Sequence, residues 1–335
     1  MPKTPTLQAR QLPEIRAELA QWLQDPGEHG GPETWARGFD PQTAARERQA
    51  AKDWAVSLKS AELFYASADM TRLAVSAGMA LPAYRLHPED LPAPHGLLLW
   101  EEPVTDTYDG TELVGAPIIG VTWAVYGGGV YIRSWARQEE WLTSMAKGDP
   151  QAGLRDLTPA EVRLIRQQYP YPIVCMSGAR LPFGKVPGWL AMAPEDTSSM
   201  SWAEMEDHTR SSNRIEQAER ALVVTWLLMG QSLASEESVE APRSSAKHIA
   251  RIDPNLLTAV RYVRLRHHAV PQQAGPEDGA GGRGYRHRWI VRGHWRNQYY
   301  PSRETHRPIW IDQHIKGPDG APILDPEKLV NVLRR

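Results

Sequence analysis

APIIGVTWAVYGGGVYIRSW, residues 116–135, decides how this chain is read. Two apolar runs, 116–126 and 130–135, flank three consecutive glycines, Gly127, Gly128 and Gly129. Such runs on either side of a glycine turn predict an antiparallel hairpin, in which glycine supplies the positive φ that other residues resist. Upstream, GLLLWEEPV (96–104) reads as another buried strand. The glycines resemble a phosphate-cradling loop only superficially, because no GxxxxGK[ST] pattern surrounds them.

On the N-terminal side, LPEIRAELAQWL (12–23) places Leu12, Ile15, Leu19 and Leu23 three and four apart, which predicts a short amphipathic helix. Residues 25–40 are rich in Gly and Pro and read as loop. Residues 41–79 are Ala-rich and helical in composition, with Trp54, Leu58, Leu63 and Leu73 as core positions. Pro82, Pro88, Pro92 and Pro94 then break the pattern, so residues 1–95 read as a helical part.

On the C-terminal side, Thr158-Pro159-Ala160-Glu161 is a helix start, with Thr as cap, Pro at the first position and Glu at the third. That helix should stop before Pro170. Residues 213–233 carry the strongest helical signal: Ile215, Ala218, Leu222, Trp226 and Met229 share one face, and Val223, Leu227 and Leu228 widen it. This is the expected central buried helix. Residues 235–245 read as a polar linker, dividing a central α+β region (96–240) from a basic segment (241–335). The expected fold class is α+β.

The length, 335 residues, is ample for a core, and 41% hydrophobic with 23% charged residues belongs to a globular chain rather than a disordered one. The single cysteine, Cys175, excludes an internal disulfide framework and a multi-cysteine zinc site, and reads as a core residue. The opening residues have no apolar run behind their charges, so no signal peptide is expected. The longest apolar run, 221–229, is far below the roughly 20 residues that span a bilayer. A cytoplasmic setting and no membrane partner are the expectation.

The formal charge of −2 conceals a polarity. From Arg243 onward there are 17 Lys and Arg against 8 Asp and Glu, while the preceding residues carry 21 against 32. Seven of the 11 histidines also fall in that last part. Such asymmetry points to nucleic acid or another polyanion, or to a dipolar molecule whose parts attract. Arginine outnumbers lysine 30 to 8, a bias that a GC-rich genome also produces, so abundance alone argues little.

The basic segment reads as a three-stranded antiparallel meander. Residues 258–269 alternate, with Tyr262, Arg264 and Arg266 facing one way and Val263, Leu265 and His267 the other. Residues 271–284 form a low-complexity loop. Residues 285–296 place Arg286, Arg288, Arg292, His294 and Arg296 opposite Trp289, Val291 and Trp295. Residues 307–315 turn Ile309, Ile311 and Ile315 inward and Trp310, Asp312 and His314 outward. A short helix over 327–335 closes the chain.

An arginine fork matches phosphate oxygens, and an aromatic ring beside it offers bases a stacking surface worth about 1–3 kcal/mol each. The candidate nucleic-acid contacts are Arg288, Arg292, His294, Trp295, Arg296, Arg307, Trp310, His314 and Lys316, with RNA as partner. No RNP, KH or zinc-knuckle signature accompanies them. A second reading is a metal-independent ribonuclease, with His294, His306 and His314 exchanging protons and Arg292, Tyr299 and Asp312 around them. Three histidines can also hold zinc, but no HExxH or other spaced motif is present, so neither metal nor cofactor is expected. A third reading is a protein-interaction adaptor that meets no nucleic acid. Elsewhere, Glu101 and Glu102 are adjacent on a strand and point to opposite faces, which predicts solvation or ion pairing rather than a shared proton.

The segment RWIVRGHWRNQYYPSRETHRPIWIDQHIKGP resembles a C-terminal motif, VRGHW(R) followed by W-I-x-x-H-(K/R)-G, of uncharacterised actinobacterial, plasmid and phage proteins. More distantly, it is similar to the C-terminal part of anti-CRISPR proteins directed against type V-A systems. The matching positions are Arg292, Gly293, His294, Trp295, Arg296, Trp310, His314, Lys316 and Gly317, about a tenth of the chain. A looser echo, GLLLWEEPV followed by APIIGVTW, lies in the middle region. Those anti-CRISPR proteins lower Cas12a production by recognising the nascent N-terminal peptide and triggering loss of the message. The resemblance therefore implies a mobile-element protein that acts on RNA or on a ribosome-associated nascent chain; the peptide specificity is not carried over.

Overall fold

The computed structural model describes residues 6–24, 40–105, 116–146, 156–187, 214–266, 287–301, 304–318 and 322. Contacts divide the chain into two units, Met1–Leu265 and Arg266–Arg335. The first contains, in order, α1 (Leu12–Trp22), α2 (Pro41–Lys59), β1 (Glu62–Ala66), α3 (Ala68–Met79), β2 (His95–Trp100), β3 (Ile118–Tyr126) and β4 (Gly129–Arg137). It continues through α4 (Gln138–Ala146), α5 (Pro159–Gln168), β5 (Ile173–Pro182), α6 (Arg214–Met229), β6 (Ala234–Glu240), α7 (Arg243–Ile252) and β7 (Ala259–Leu265). The second contains β8 (Trp289–Val291), β9 (His294–Tyr300), β10 (Thr305–Ile311) and β11 (His314–Lys316). The fold class is α+β.

The glycine hairpin forms where the sequence places it. β3 and β4 pair antiparallel and close at Tyr126↔Gly129 around Gly127 and Gly128, whose φ values are +56° and +75°. Two central residues at positive φ match the right-handed twist of the flanking strands. The hairpin belongs to a seven-stranded sheet of order β5-β4-β3-β2-β1-β7-β6. β1 runs parallel to both β2 and β7, and the remaining neighbours are antiparallel.

The helical reading of residues 41–79 is corrected by β1, which lies inside the sheet. Leu63, Phe64, Tyr65 and Ala66 are all buried, so no polar residue alternates with apolar ones to announce a strand. Helices do flank it. The Asp40 carboxylate caps α2 through the amides of Gln42 and Thr43, and the Ser67 hydroxyl caps α3 through that of Met70.

Helices cover both faces of the sheet. On one, Leu63, Tyr65, Leu97, Leu99, Trp135 and Val260 cluster with Leu12, Ile15 and Leu19 of α1 and with Trp54 and Leu58 of α2. On the other, Phe64 stacks on Trp123 at 5.5 Å, and Trp123 meets Trp226 of α6 at 5.2 Å. The Trp100 indole N–H donates to the Thr225 hydroxyl on the same helix at 3.2 Å. The helix expected over 213–233 is thus the buried one, ending at Met229. Gly96 makes room for the Trp123 ring, since a Cβ there would lie 2.1 Å from it.

Arg16 ties the sheet together from beneath. Its side chain is fully buried, and it donates through Nη1 to the Ala61 carbonyl at 3.1 Å and through Nη2 to that of Leu257. Burial lowers its pKa to about 10.

Three further expectations are corrected. Residues 235–245 are not a linker but β6 and the start of α7; β6 looks polar because it is an edge strand carrying Glu236 and Glu237. The first strand of the expected meander is β7, and it sits between β1 and β6, with Val260 and Val263 buried on opposite faces. The remaining meander is an interrupted hairpin: β9 pairs with β10 from Tyr300↔Thr305 to His294↔Ile311, and β8 with β11 from Val291↔His314 to Trp289↔Lys316. One register runs through both ladders, broken where Arg292 and Gly293 face Asp312 and Gln313. The expected loops over 25–40 (save Asp40) and 271–284, and the helix over 327–335, lie outside the described residues. Among the described residues no helix is long and apolar enough to cross a membrane.

Candidate nucleic-acid interface

In an antiparallel ladder directly opposed residues share a face, and successive residues alternate. The β9–β10 register therefore puts His294, Arg296, Gln298 and Tyr300 on one face together with Arg307, Ile309 and Ile311. Trp295, Asn297 and Tyr299 share the other with His306, Pro308 and Trp310. Trp310, expected outward beside His314, instead lies across from Trp295. Ile309 and Ile311, expected inward, lie beside Arg296 and His294. Alternation along each strand holds; the difference comes from the register, which pairs even-numbered residues of β9 with odd-numbered residues of β10 and so sets the isoleucines, not Trp310, on the arginine face.

The two indoles pack edge to face at 5.4 Å and 72°, and both are half-buried. Gly293 is part of that packing, since a Cβ there would lie 2.4 Å from the Trp310 ring. Tyr299 and His306 sit 4.9 Å apart on the same face and are exposed. The ring that shares the arginine face is exposed Tyr300, which the sequence reading did not single out. Its signal was the even spacing Arg296, Gln298, Tyr300.

The imidazoles flank the break symmetrically. His294 Nδ1 donates to the Arg292 carbonyl at 3.0 Å, and His314 Nδ1 to that of Asp312 at 2.9 Å. A neutral ring held this way keeps its proton on Nδ1 and leaves Nε2 as an acceptor. His306 is on the face opposite His294, and His314 belongs to the other ladder. The histidines singled out for ribonuclease or zinc chemistry are thus spread over two faces and two ladders. Among the described residues, the group of three side chains that can meet at one cation is Glu14, Glu18 and His248 of the first unit.

The charges are distributed unevenly between the two units. Arg292, Arg296 and Lys316 are exposed and form no ion pair among the described residues. Arg296 donates instead to the Gln298 side-chain carbonyl at 2.7 Å. Arg288 and Arg307 are half-buried and engaged in other contacts. On β7, by contrast, Arg261 lies 3.3 Å from Glu62 and 3.5 Å from Glu236, and Arg264 pairs with Glu237.

Other singled-out residues have structural roles. Glu101 accepts the Ala68 amide at 2.7 Å and Glu102 pairs with Arg72 at 2.6 Å, so ion pairing is found as expected. The two lie past the end of β2 rather than on the strand, and both engage α3 instead of opposite faces. Cys175 is half-buried at the edge of the core, and burial pushes its thiol pKa up.

No family model and no curated protein matches the chain. Among solved structures the chain is similar to one titled "Crystal structure of AcrVA2", an anti-CRISPR protein. The identity is 12%, the match covers 91% of this chain and 93% of that one, and the TM-score is 0.35, a distant likeness.

Proposed function

We propose that the second unit binds RNA through the arginine face of its hairpin. The observation that supports this is the lack of carboxylate partners for Arg292, Arg296 and Lys316 among the described residues, with Arg296 sharing its face with His294, Gln298, Arg307 and an exposed Tyr300. A guanidinium left without a carboxylate keeps its fork for phosphate, and a neighbouring tyrosine adds a stacking surface. Arg288, Arg292, His294, Arg296, Arg307, His314 and Lys316 are the proposed backbone contacts. Trp295 and Trp310 hold the opposite face. The motif resemblance supports a translational setting, in which the RNA is a message under translation, on or near the ribosome, in a mobile-element protein.

The test is anisotropy of a labelled 12-nucleotide single-stranded RNA with the full chain between 50 and 200 mM salt. Affinity should fall steeply with salt, as counterion release requires, and the RNA should remain intact. Arg292→Ala with Arg296→Ala should weaken binding by about tenfold or more and make the salt dependence shallower by about one to two charges. An unchanged affinity and slope would remove the proposal.

A further inference from the structure

Five arginines lie on strands of the seven-stranded sheet: Arg133 and Arg137 on β4, Arg180 on β5, and Arg261 and Arg264 on β7. Arg137, Arg261 and Arg264 are paired with glutamates. Arg133 and Arg180 have no carboxylate partner among the described residues and lie instead over aromatic rings. The Arg133 guanidinium is 4.0 Å from the Trp54 ring centre, and that of Arg180 is 5.7 Å from the ring of Tyr131. Arg180 also donates to the Gly127 carbonyl, which holds it flat against the hairpin tip.

These groups share one face. Tyr131 is opposite Ala124 on β3 and Arg180 on β5, Tyr126 is opposite Gly129, and Arg133 is two residues from Tyr131 on the same strand. Tyr126 and Tyr131 are 73% and 47% exposed, with ring centres 6.1 Å apart. The helices that cover this face reach Trp54, where Arg133 lies; the tyrosines stand clear of it in solvent. Two exposed rings whose planes are tilted at 58°, each offering a face to one base, with guanidinium groups that meet no carboxylate among the described residues, complement a chain of phosphates carrying planar bases. A duplex offers its phosphates but keeps its bases stacked inside.

We propose that this end of the sheet, Tyr126, Tyr131 and Arg180 with Arg133 behind them, is a docking surface for single-stranded RNA, separate from the hairpin of the second unit. Bases stack on the tyrosines while the guanidinium groups meet the backbone. The surface stands on contacts of the first unit alone, so its failure and that of the hairpin reading are distinguishable.

The experiment is ultraviolet crosslinking of a 12-nucleotide oligouridine to the full chain, with the adducts mapped by mass spectrometry. Adducts are expected on Tyr126 or Tyr131, and they should persist in the Arg292→Ala/Arg296→Ala variant. Tyr126→Ala with Arg180→Gln should weaken oligouridine binding by about tenfold without shifting the melting temperature, and should leave binding of an RNA duplex of equal length unchanged. Adducts confined to residues 287–318, or an equal loss for the duplex, would overturn this proposal while leaving the hairpin reading standing. Adducts on the tyrosines and none in 287–318 would do the reverse. A protein partner that survives nuclease treatment and is lost with Tyr126→Ala/Arg180→Gln would also overturn it, assigning the surface to protein.

Discussion

On β7 the guanidinium groups of Arg261 and Arg264 end against Glu62, Glu236 and Glu237, whereas on β9 that of Arg296 ends against a glutamine side chain. At the hairpin break, Arg292 meets no carboxylate among the described residues. Both strands read alike on paper, as arginines interleaved with aromatic and β-branched residues. What separates them is the neighbour. β7 lies beside an edge strand rich in glutamate, so its charges are used inside the fold and add little beyond the local ion pairs. The hairpin carries almost no acid, so its charges remain available to a partner. Arginine content therefore says less about polyanion binding than the count of arginines left over once the tertiary contacts are made.

Arg16 is the extreme case of an arginine consumed by the fold, and its loss should have the largest effect. Arg16→Met would leave the Ala61 and Leu257 carbonyls without their buried donor. Allowing for the relief of no longer burying a charge, unfolding by urea should show a loss of about 2–4 kcal/mol. A change below about 1 kcal/mol would mean that other groups satisfy those carbonyls.

Gly293→Ala probes the hairpin side of the comparison. The added methyl would collide with the Trp310 ring, so the indole pair must shift, at a cost of about 1–3 kcal/mol local to the second unit. Hydrogen exchange should show faster opening of residues 294–300 while β1 to β5 keep their protection. Uniformly faster exchange across both units would remove the distinction drawn here.

The smallest effect should come from β7. Arg261→Gln with Arg264→Gln breaks surface ion pairs worth about 1 kcal/mol or less each, lowering the melting temperature by a few degrees at most. RNA affinity should not move. If it fell as far as with Arg292→Ala/Arg296→Ala, paired arginines would be binding RNA as well, and the contrast between the strands would collapse.

Much of the first unit was legible in advance. The glycine pair at Gly127 and Gly128, the capping box at Thr158 and Glu161, and the apolar stripe of α6 are local signals whose physics lies within a few residues. β1 was not legible, because a strand buried on both faces and flanked by alanine-rich helices has no alternation to show. β6 was missed for the opposite reason, since its glutamates look like solvent-exposed linker until Arg261 and Arg264 appear across the ladder. In the second unit the residues were named but their faces were not. Alternation along one strand shows that Ile309 and Trp310 face opposite ways, but not which of them meets Arg296; the register of the ladder, with Ile309 opposite Arg296 and Trp310 opposite Trp295, decides that.

The amino-acid sequence by itself determined the class of fold, the main turn, the buried helix and the segment where positive charge accumulates. Those follow from spacing, turn chemistry and composition, which act over short stretches of chain. Tertiary structure alone decided which arginines meet a carboxylate, because that depends on strands far apart in sequence becoming neighbours. It also decided that Trp310 stands across from Trp295 rather than beside Arg296, because the register between two strands, not the alternation along either one, fixes which faces meet.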